Sequence, residues 1–248
     1  MSMDTSKAWA VSVDFHTHIL PAMDDGSASA EESAALLAKQ GADGIGAVIA
    51  TPHFYPTEQT IEEFLSRREE SCTLLRSVYD PAVHPKLYLG AEVAYFTGIG
   101  KSRLVEQLTV VGTNLILIEM PFARWSKHEI DEVVALRENQ GLIPLVAHIE
   151  RYAKFQKRGT LEYMLARGVL FQSNADVFLN AKTAKWAMKQ FERGLIAVLG
   201  SDCHDPVNRI PNLSSALSCI AHEKGMDEIE QMRFLQDFLL KGAKPIEF

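Results

Sequence analysis

Three features are scarce in this chain of 248 residues: cysteine, excess positive charge and long apolar runs. The three cysteines (Cys72, Cys203 and Cys219) form no CxxC pair, which is typical of a reducing compartment and argues against a disulfide framework. No apolar run approaches the roughly 20 residues that a membrane-spanning helix needs. Residues 1–10 contain one lysine and no apolar core, unlike a signal peptide. We therefore expect a cytoplasmic protein without membrane insertion.

The charge balance is acidic, with a net charge of −7. Nucleic-acid-binding proteins usually carry a strongly basic face, so this balance argues against nucleic acid as a partner. Hydrophobic residues make up 47% of the chain, which is enough for a full core. Because no linker, repeat or low-complexity segment interrupts the pattern, we expect one domain that spans residues 1–248.

Short apolar runs alternate with helical patterns along the chain, which predicts a parallel α/β architecture. Seven strands are predicted, at residues 11–15, 44–50, 86–90, 114–119, 142–147, 169–173 and 195–200. Capping-box patterns at Ser29 and Thr60 begin the helices after the first two strands, and Gly41 is predicted to end the first helix. We favour a seven-stranded, TIM-like barrel over an open doubly wound sheet, because the first strand lacks the Gly-x-Gly-x-x-Gly of dinucleotide-binding sheets.

Histidines and carboxylates stand where the predicted strands end. His16 and His18 follow the first strand, and period-two alternation places them on one face. The carboxyl ends of all strands in a parallel barrel meet on one face, so we expect the other polar strand ends to join them. The nine convergent residues are His16, His18, Asp25, His53, Glu92, Glu119, His148, Asp202 and His204. Hydrogen bonding explains an isolated His-x-His pair equally well, but nine such groups buried together need cations to offset their charge.

The number and type of these groups indicate two or three divalent metal ions. Nine candidates exceed the needs of one tetrahedral site and suffice for ions that share a bridging carboxylate. Imidazole and carboxylate together suit Mn, Fe, Zn or Co better than Mg or Ca. Three divalent ions would outweigh the four carboxylates, and the resulting positive charge suits a phosphomonoester dianion. Such ions lower the pKa of bound water toward about 7, which predicts hydroxide as the nucleophile that attacks phosphorus.

Together these motifs resemble a known superfamily. In chain order they are Asp14-Phe15-His16-Thr17-His18, Asp24-Asp25-Gly26, Thr51-Pro52-His53, Gly90-Ala91-Glu92, Ile118-Glu119, Ala147-His148-Ile149-Glu150-Arg151-Tyr152 and Ser201-Asp202-Cys203-His204. The set resembles the polymerase and histidinol phosphatase (PHP) superfamily, and within it the bacterial manganese-dependent protein-tyrosine phosphatases of capsule and exopolysaccharide synthesis. The resemblance covers nearly the whole chain, and its most specific parts are the His-Ile-Glu-Arg-Tyr motif and the Asp-Asp-Gly loop.

The resemblance implies a distorted (β/α)7 barrel, a protein-tyrosine phosphatase activity and a trinuclear site. It assigns His16, His18, Glu92 and Asp202 to the first ion, Glu92, Glu119 and His148 to the second, and Asp25, His53 and His204 to the third. Arg151 matches an arginine thought to bind phosphate, and a planar guanidinium suits phosphoryl oxygens on chemical grounds alone. Arg151 and His204 are the expected catalytic residues. The implied metal is manganese, and the implied partner is the phosphotyrosine tail of a bacterial tyrosine autokinase.

Several alternatives remain open at this point. One alternative activity is that of a small-molecule phosphatase of the histidinol-phosphatase type. A regulator that retains metal and binds phosphotyrosine without turnover is a second alternative. The oligomeric state is also open. Flanking aromatic residues either stack on a phenol leaving group or belong to the rim and core; they are Phe54, Tyr55, Tyr95, Phe122, Trp125 and Tyr152. Phe54 replaces a histidine found in many relatives, and we expect it to affect leaving-group preference.

The spacing from Cys203 to Arg209 matches the Cys-x5-Arg signature of cysteine-dependent phosphatases. That mechanism needs a loop of backbone N–H groups around the phosphate, usually rich in glycine. Here Pro206 removes one N–H group, and no glycine lies between the two residues. We therefore predict no nucleophilic role for Cys203.

Overall fold

The computed structural model of the chain describes residues 12–248. Residue 11, where the first strand is predicted to begin, and segment 1–10 lie outside the described residues. The strands of the described part are Val13–Thr17 (β1), Ala47–Ala50 (β2), His53–Phe54 (β3), Lys86–Leu89 (β4), Glu92–Ala94 (β5), Leu115–Glu119 (β6), Ile143–Val146 (β7), Leu170–Asn174 (β8) and Val198–Gly200 (β9). All of their pairings are parallel.

The helices alternate with the strands as predicted. They are Ala30–Ala42 (α1), Ile61–Arg76 (α2), Lys127–Gln140 (α3), Ile149–Tyr152 (α4), Thr160–Ala166 (α5), Asp176–Leu179 (α6), Ala184–Glu192 (α7), Leu213–Lys224 (α8) and Met226–Leu239 (α9). Ser29 and Thr60 cap α1 and α2, so both predicted starts are confirmed. Gly41 does not end α1, however. A Cβ atom there would lie 2.0 Å from the Val83 carbonyl oxygen, so the glycine serves a close backbone approach instead.

The strand count differs from the predicted seven because two strands are interrupted. β2 and β3 are separated by Thr51 and Pro52, and β4 and β5 by Gly90 and Ala91. The pairing of Ala47 with Lys86 and that of His53 with Glu92 have the same register on either side of the gap. β2 with β3 and β4 with β5 therefore occupy two strand positions, and the nine segments fill the seven expected positions.

The sheet curls until its two edges meet. Along the edge formed by β1, the backbone N–H of Asp202 donates to the His16 carbonyl at 2.8 Å, and that of His18 donates to the Cys203 carbonyl at 2.9 Å. Thr17 and Cys203 form a parallel bridge at the same place. These bonds bring the segment after β9 beside β1. The TIM-like α/β architecture is thereby confirmed, and the open doubly wound sheet is wrong.

Two apolar layers surround the strands. Alternate residues such as Phe15, Ile49, Leu117 and Leu145 form an inner cluster, to which Leu239 of α9 adds. The other strand faces pack against the helices in a larger outer cluster. No helix within residues 12–248 is both long enough and apolar enough to cross a membrane.

A β-bulge in β1 directs the two histidines inward. Asp14 pairs with Val48, but Thr17 pairs with Ala50, so β1 contains one extra residue between these pairs. Val13 and Phe15 face the interior before the bulge. After it, His16 and His18 share that same side at the carboxyl end of the strand.

Candidate metal centre

The structure brings all nine predicted ligand residues together. Within the described residues, the candidate metal-binding groups are His16–Glu92–His148, His16–His18–Asp202, His18–Asp25–His53–His204 and His53–Glu92–Glu119. These overlapping groups contain the nine residues and no others. His18 also joins the group expected for the third ion, which the sequence did not predict. Most members are buried, whereas the Asp25 side chain is 68% exposed and marks the open side of the cluster.

Two imidazole nitrogens at the centre share two carboxylate neighbours at the spacing of metal ligands. The distances from His16 Nε2 are 3.0 Å to His18 Nε2, 3.1 Å to Glu92 Oε2 and 3.6 Å to Asp202 Oδ1. His18 Nε2 lies 3.3 Å from the same Glu92 oxygen and 3.5 Å from the same Asp202 oxygen. A tetrahedron with metal–ligand bonds of about 2.0–2.1 Å has edges of about 3.3 Å. The two imidazole nitrogens and the carboxylate oxygens that they share thus have the spacing of ligands to one ion.

The outer nitrogens of both histidines are held by acceptors. His16 Nδ1 lies 3.2 Å from Gln172 Oε1, and His18 Nδ1 lies 2.8 Å from Asp24 Oδ2. An acceptor at Nδ1 keeps the proton there and turns the Nε2 lone pair inward, as in many metal sites. Two inward lone pairs at 3.0 Å repel each other unless a cation lies between them.

Glu92 connects several histidines. Its Oε1 lies 2.8 Å from His148 Nε2, and its Oε2 lies 3.0 Å from His53 Nδ1. Glu119 Oε1 is 3.7 Å from His148 Nε2 and completes this side of the cluster. On the other side, Asp25 Oδ1 lies 3.4 Å from His204 Nε2 and 3.6 Å from His53 Nε2.

Four buried atoms of the cluster residues lack a hydrogen-bond partner within the described residues. They are His53 Nδ1, Glu92 Oε2, His148 Nδ1 and His204 Nε2. Buried polar atoms normally have partners, so four orphaned atoms in one cluster need an explanation. The residues present therefore fit bound metal ions.

The pKa shifts show how strongly the cluster attracts positive charge. Burial disfavours a charged His18, yet Asp24 and Glu92 outweigh it and raise the pKa of His18 to about 10. Burial also opposes ionisation of Glu92, but His16 and His148 hold the pKa of that carboxyl well below its usual range. Protons and metal ions compete for the same lone pairs. The carboxylates thus create a negative electrostatic potential that favours a bound cation.

Two of the clustered residues adopt left-handed backbone conformations. The φ angle is 32° at His148 and 53° at Asp202. This conformation is energetically unfavourable for residues other than glycine, and it is concentrated at functional sites. At both positions it follows a strand end and turns the side chain into the cluster.

Two arginines converge on one carboxylate oxygen at the rim. Arg151 Nη2 lies 2.5 Å and Arg209 Nη2 2.7 Å from Asp202 Oδ2. Both side chains are partly exposed, at 38% and 39%, so each can also reach a ligand. The turn that carries Arg209 is fixed by Asp205, whose Oδ1 accepts from the backbone N–H groups of Val207 and Asn208.

Sequence reasoning missed the residues that orient the cluster. Asp24 was read only as the neighbour of Asp25, and Arg209 only as part of the cysteine-phosphatase spacing. Gln172 and Asn174 were not singled out at all. Gln172 Nε2 donates to Asn174 Oδ1 at 3.0 Å, and Asn174 Nδ2 donates to Asp202 Oδ2 at 2.8 Å. The signal was available, because polar residues at alternate positions of a buried strand face the same interior as the cluster.

The flanking aromatics divide into core and rim residues. Phe54 is buried and packs edge-on against Phe64, with ring centroids 5.4 Å apart. Phe54 therefore belongs to the core, because its strand position points it toward the helices. Phe122, in contrast, is exposed at the rim, and Tyr55 stacks on His53 at 5.0 Å.

Cys203 faces away from the cluster. Its Sγ lies 3.8 Å from Gln40 Nε2 of α1 and is fully buried in the outer apolar layer. Burial raises the pKa of this thiol far above the physiological range, with Asp14 adding to the effect. A thiol nucleophile needs the opposite environment.

Replacing Cys203 with serine is therefore expected to leave kcat on a phosphotyrosine peptide within about threefold of wild type, because the side chain has no contact with the site. Alkylation of the native protein should modify Cys219, which is partly exposed, and spare Cys203. Steady-state rates and mass spectrometry measure both effects. Inactivation by the serine substitution in a protein that remains folded would show that the thiol acts.

Fold and site together define a class: α/β-barrel proteins whose functional groups cluster at the carboxyl ends of parallel strands. Residues 12–237 match the family model described as "Capsular polysaccharide synthesis, CpsB/CapC". The chain belongs to this CpsB/CapC family. The resemblance inferred from the motifs is thereby confirmed.

Relatives of the chain are tyrosine-protein phosphatases by name. CpsB of Streptococcus pneumoniae is 29% identical over 236 residues, which cover 89% of this chain and 94% of that relative. YwqE of Bacillus subtilis (strain 168) is 27% identical over 221 residues, which cover 87% of this chain and 86% of the relative.

A solved structure supports the fold. Crystal structures of YwqE from Bacillus subtilis and CpsB from Streptococcus pneumoniae are described as those of unique metal-dependent tyrosine phosphatases. The match has a TM-score of 0.77 at 22% identity and covers 95% of this chain and 100% of the matched one. The barrel architecture is thus shared with these proteins.

Proposed function

We propose that the chain is a metal-dependent protein-tyrosine phosphatase that acts as one domain over residues 1–248 in the cytoplasm. The observation that carries the proposal is the cluster itself: nine ligand-type side chains meet, and two arginines stand at its rim. Family membership and the names of the relatives agree with it. The site residues are the nine cluster residues together with Arg151 and Arg209.

The proposed cofactor is two or three divalent ions, with manganese favoured by the resemblance and Fe, Zn or Co also suited to the ligands. His16, His18, Glu92 and Asp202 would hold one ion. The remaining groups around His148 and around His204 would hold the others. When bound, such ions neutralise phosphoryl oxygens and supply an activated water.

The two arginines orient the phosphate. Each guanidinium offers a planar pair of N–H donors that matches phosphoryl oxygens. Asp202 holds both in place, because its Oδ2 lies 2.5 Å from Arg151 Nη2 and 2.7 Å from Arg209 Nη2. Because their other N–H groups remain partly exposed, they can bind two oxygens of an entering phosphoryl group without a rearrangement of the chain.

An aromatic pocket supports tyrosine as the leaving group. A cavity of about 300 Å³ adjoins the cluster and is lined by Tyr95, Phe122 and Tyr152 together with Glu119 and Arg151. Aromatic walls bind a phenyl ring by burial and edge or face contacts. A phosphotyrosine ring in this pocket would place its phosphoryl group at Arg151, which favours phosphotyrosine over small aliphatic phosphates.

The proposed partner is therefore a protein with phosphotyrosine in an accessible segment, such as the tail of a tyrosine autokinase that acts in capsule or exopolysaccharide synthesis. An extended tail suits this site, because the phosphotyrosine of a flexible segment can enter between the strand-end loops and reach Arg151. The exposed Asp25 and Phe122 mark this opening.

Initial rates on two substrates test the proposal against its closest rivals. We expect kcat/KM on a phosphotyrosine peptide to exceed that on histidinol phosphate by about 100-fold or more, which corresponds to about 2.7 kcal/mol of transition-state discrimination. The reverse order would identify a small-molecule phosphatase. Binding of the peptide without turnover, in protein loaded with metal, would identify a regulator.

A further inference from the structure

A second cavity lies beside the aromatic pocket at the same rim of the barrel. It has a volume of about 620 Å³ and lies between the loop that follows β6 and the segment that follows α4. Four cationic side chains line it, Arg124, Lys127, Lys157 and Arg158. On a chain with a net charge of −7, four cations around one cavity reverse the local charge.

Three of these cations have no acidic partner within the described residues. Lys127 pairs with Asp131 at 2.5 Å, whereas Arg124, Lys157 and Arg158 form no ion pair. In the part of the chain that the structure describes, Asp131 is the one carboxylate that lines the cavity. The positive charge is therefore available to an anionic ligand.

The cavity also adjoins the aromatic pocket. Trp125 forms one of its walls and lies 5.6 Å, between ring centroids, from Tyr152 of the aromatic pocket. Gln156 joins the two bordering segments: its Oε1 accepts from the Trp125 backbone N–H at 3.1 Å, and its Nε2 donates to the Ala123 carbonyl at 3.0 Å. These contacts hold the walls of the two neighbouring cavities together.

We propose that this basic cavity binds an anionic side chain that flanks the phosphotyrosine of the substrate, either a carboxylate or a second phosphotyrosine. The inference rests on the proposed function, because it places the first phosphotyrosine in the aromatic pocket. A peptide that leaves this pocket past the exposed Phe122 reaches Arg124 and the other cations next. Because the chain as a whole is acidic, the local positive charge of the cavity gives an acidic segment a preferred direction along this rim.

The test uses three peptides of equal length that share a phosphotyrosine at the same position and differ in the flanking residues. The flank is neutral in the first peptide, rich in glutamate in the second, and contains an additional phosphotyrosine in the third. Lys157→Gln/Arg158→Gln is the test variant. Lys86→Gln/Lys241→Gln is the matched control. Lys86 begins β4 at the opposite end of the barrel, and Lys241 follows α9 at that end. Both side chains are exposed, and neither forms an ion pair in the described chain.

At low salt we expect the test variant to raise KM for an anionic-flank peptide by about tenfold with kcat unchanged. This pattern is typical of a lost contact that stabilises the bound substrate and the transition state equally. KM for the neutral peptide and for para-nitrophenyl phosphate should not change, and the control variant should behave as wild type. If only one of the glutamate and phosphotyrosine flanks responds, that flank is the natural ligand.

The inference is overturned if wild-type protein turns over all three peptides with the same KM. It is equally overturned if both double variants raise KM alike, since the effect would then come from net charge alone. Failure of the proposed function gives a different result, in which wild-type protein with bound metal turns over none of the phosphotyrosine peptides.

Discussion

Glu92→Gln is expected to lower kcat/KM on a phosphotyrosine peptide by about 10³-fold or more and to lower the metal content of the purified protein. Its carboxylate lies between 2.8 Å and 3.3 Å from ring nitrogens of His148, His53, His16 and His18. The amide has nearly the same shape but carries no charge and is a weak ligand. A loss of a few kcal/mol from charge stabilisation at the metals corresponds to this rate change.

The matched control is Glu132→Gln. Glu132 is also a buried glutamate, and it accepts hydrogen bonds from Tyr95 Oη and from the backbone N–H of Gly98, but it contacts no residue of the cluster. We expect its metal content to equal that of wild type. If Glu92→Gln retained both full metal content and the wild-type rate, Glu92 would not be a ligand.

Arg151→Ala and Arg209→Ala are each expected to lower kcat/KM by about 100-fold, because each removes a charge-assisted contact worth roughly 2–3 kcal/mol in the transition state. Metal content should remain unchanged, because a guanidinium does not bind metal. The double variant should lose less than the product of the single losses, because both arginines contact the same Asp202 oxygen and are expected to act together on one phosphoryl group.

Arg193→Ala serves as the control for removal of a partly exposed arginine. Arg193 pairs with Glu162 on the surface at 3.1 Å and lines no part of the cluster. It should retain wild-type kinetics. Wild-type kcat/KM in Arg151→Ala would assign that residue to structure alone, and the same result in Arg209→Ala would leave Arg151 as the one arginine that binds phosphate.

The sequence predicted the convergence of these nine residues because most of them follow an apolar run. A polar residue at the end of a buried strand is easy to recognise in the sequence. Because the carboxyl ends of parallel strands meet on one face of a barrel, such residues are expected to lie together. His16 and Asp202, far apart in sequence, were placed together by this reasoning alone. The strand interruptions were not predictable in this way. The predicted strands end at Ala50 and Gly90, and the short continuations His53–Phe54 and Glu92–Ala94 are defined only by pairing with each other.

The supporting residues were harder to predict for a physical reason. Gln172 and Asn174 act through hydrogen bonds whose partners come from other strands, and no local pattern reports such partners. The β-bulge in β1 is likewise a property of the pairing of β1 with β2. The core position of Phe54 follows from strand geometry, because successive residues of a strand face opposite sides and its neighbour His53 faces the cluster.

The most direct test of the account is a measurement of metal per chain together with activity in the same samples. Protein purified without chelator should contain two or three transition-metal ions per chain, with manganese the expected species. Treatment with chelator should abolish turnover of a phosphotyrosine peptide, and addition of Mn²⁺ should restore it. Full activity in protein that contains less than about one-tenth of an ion per chain would contradict the claim that the nine clustered residues act by binding metal.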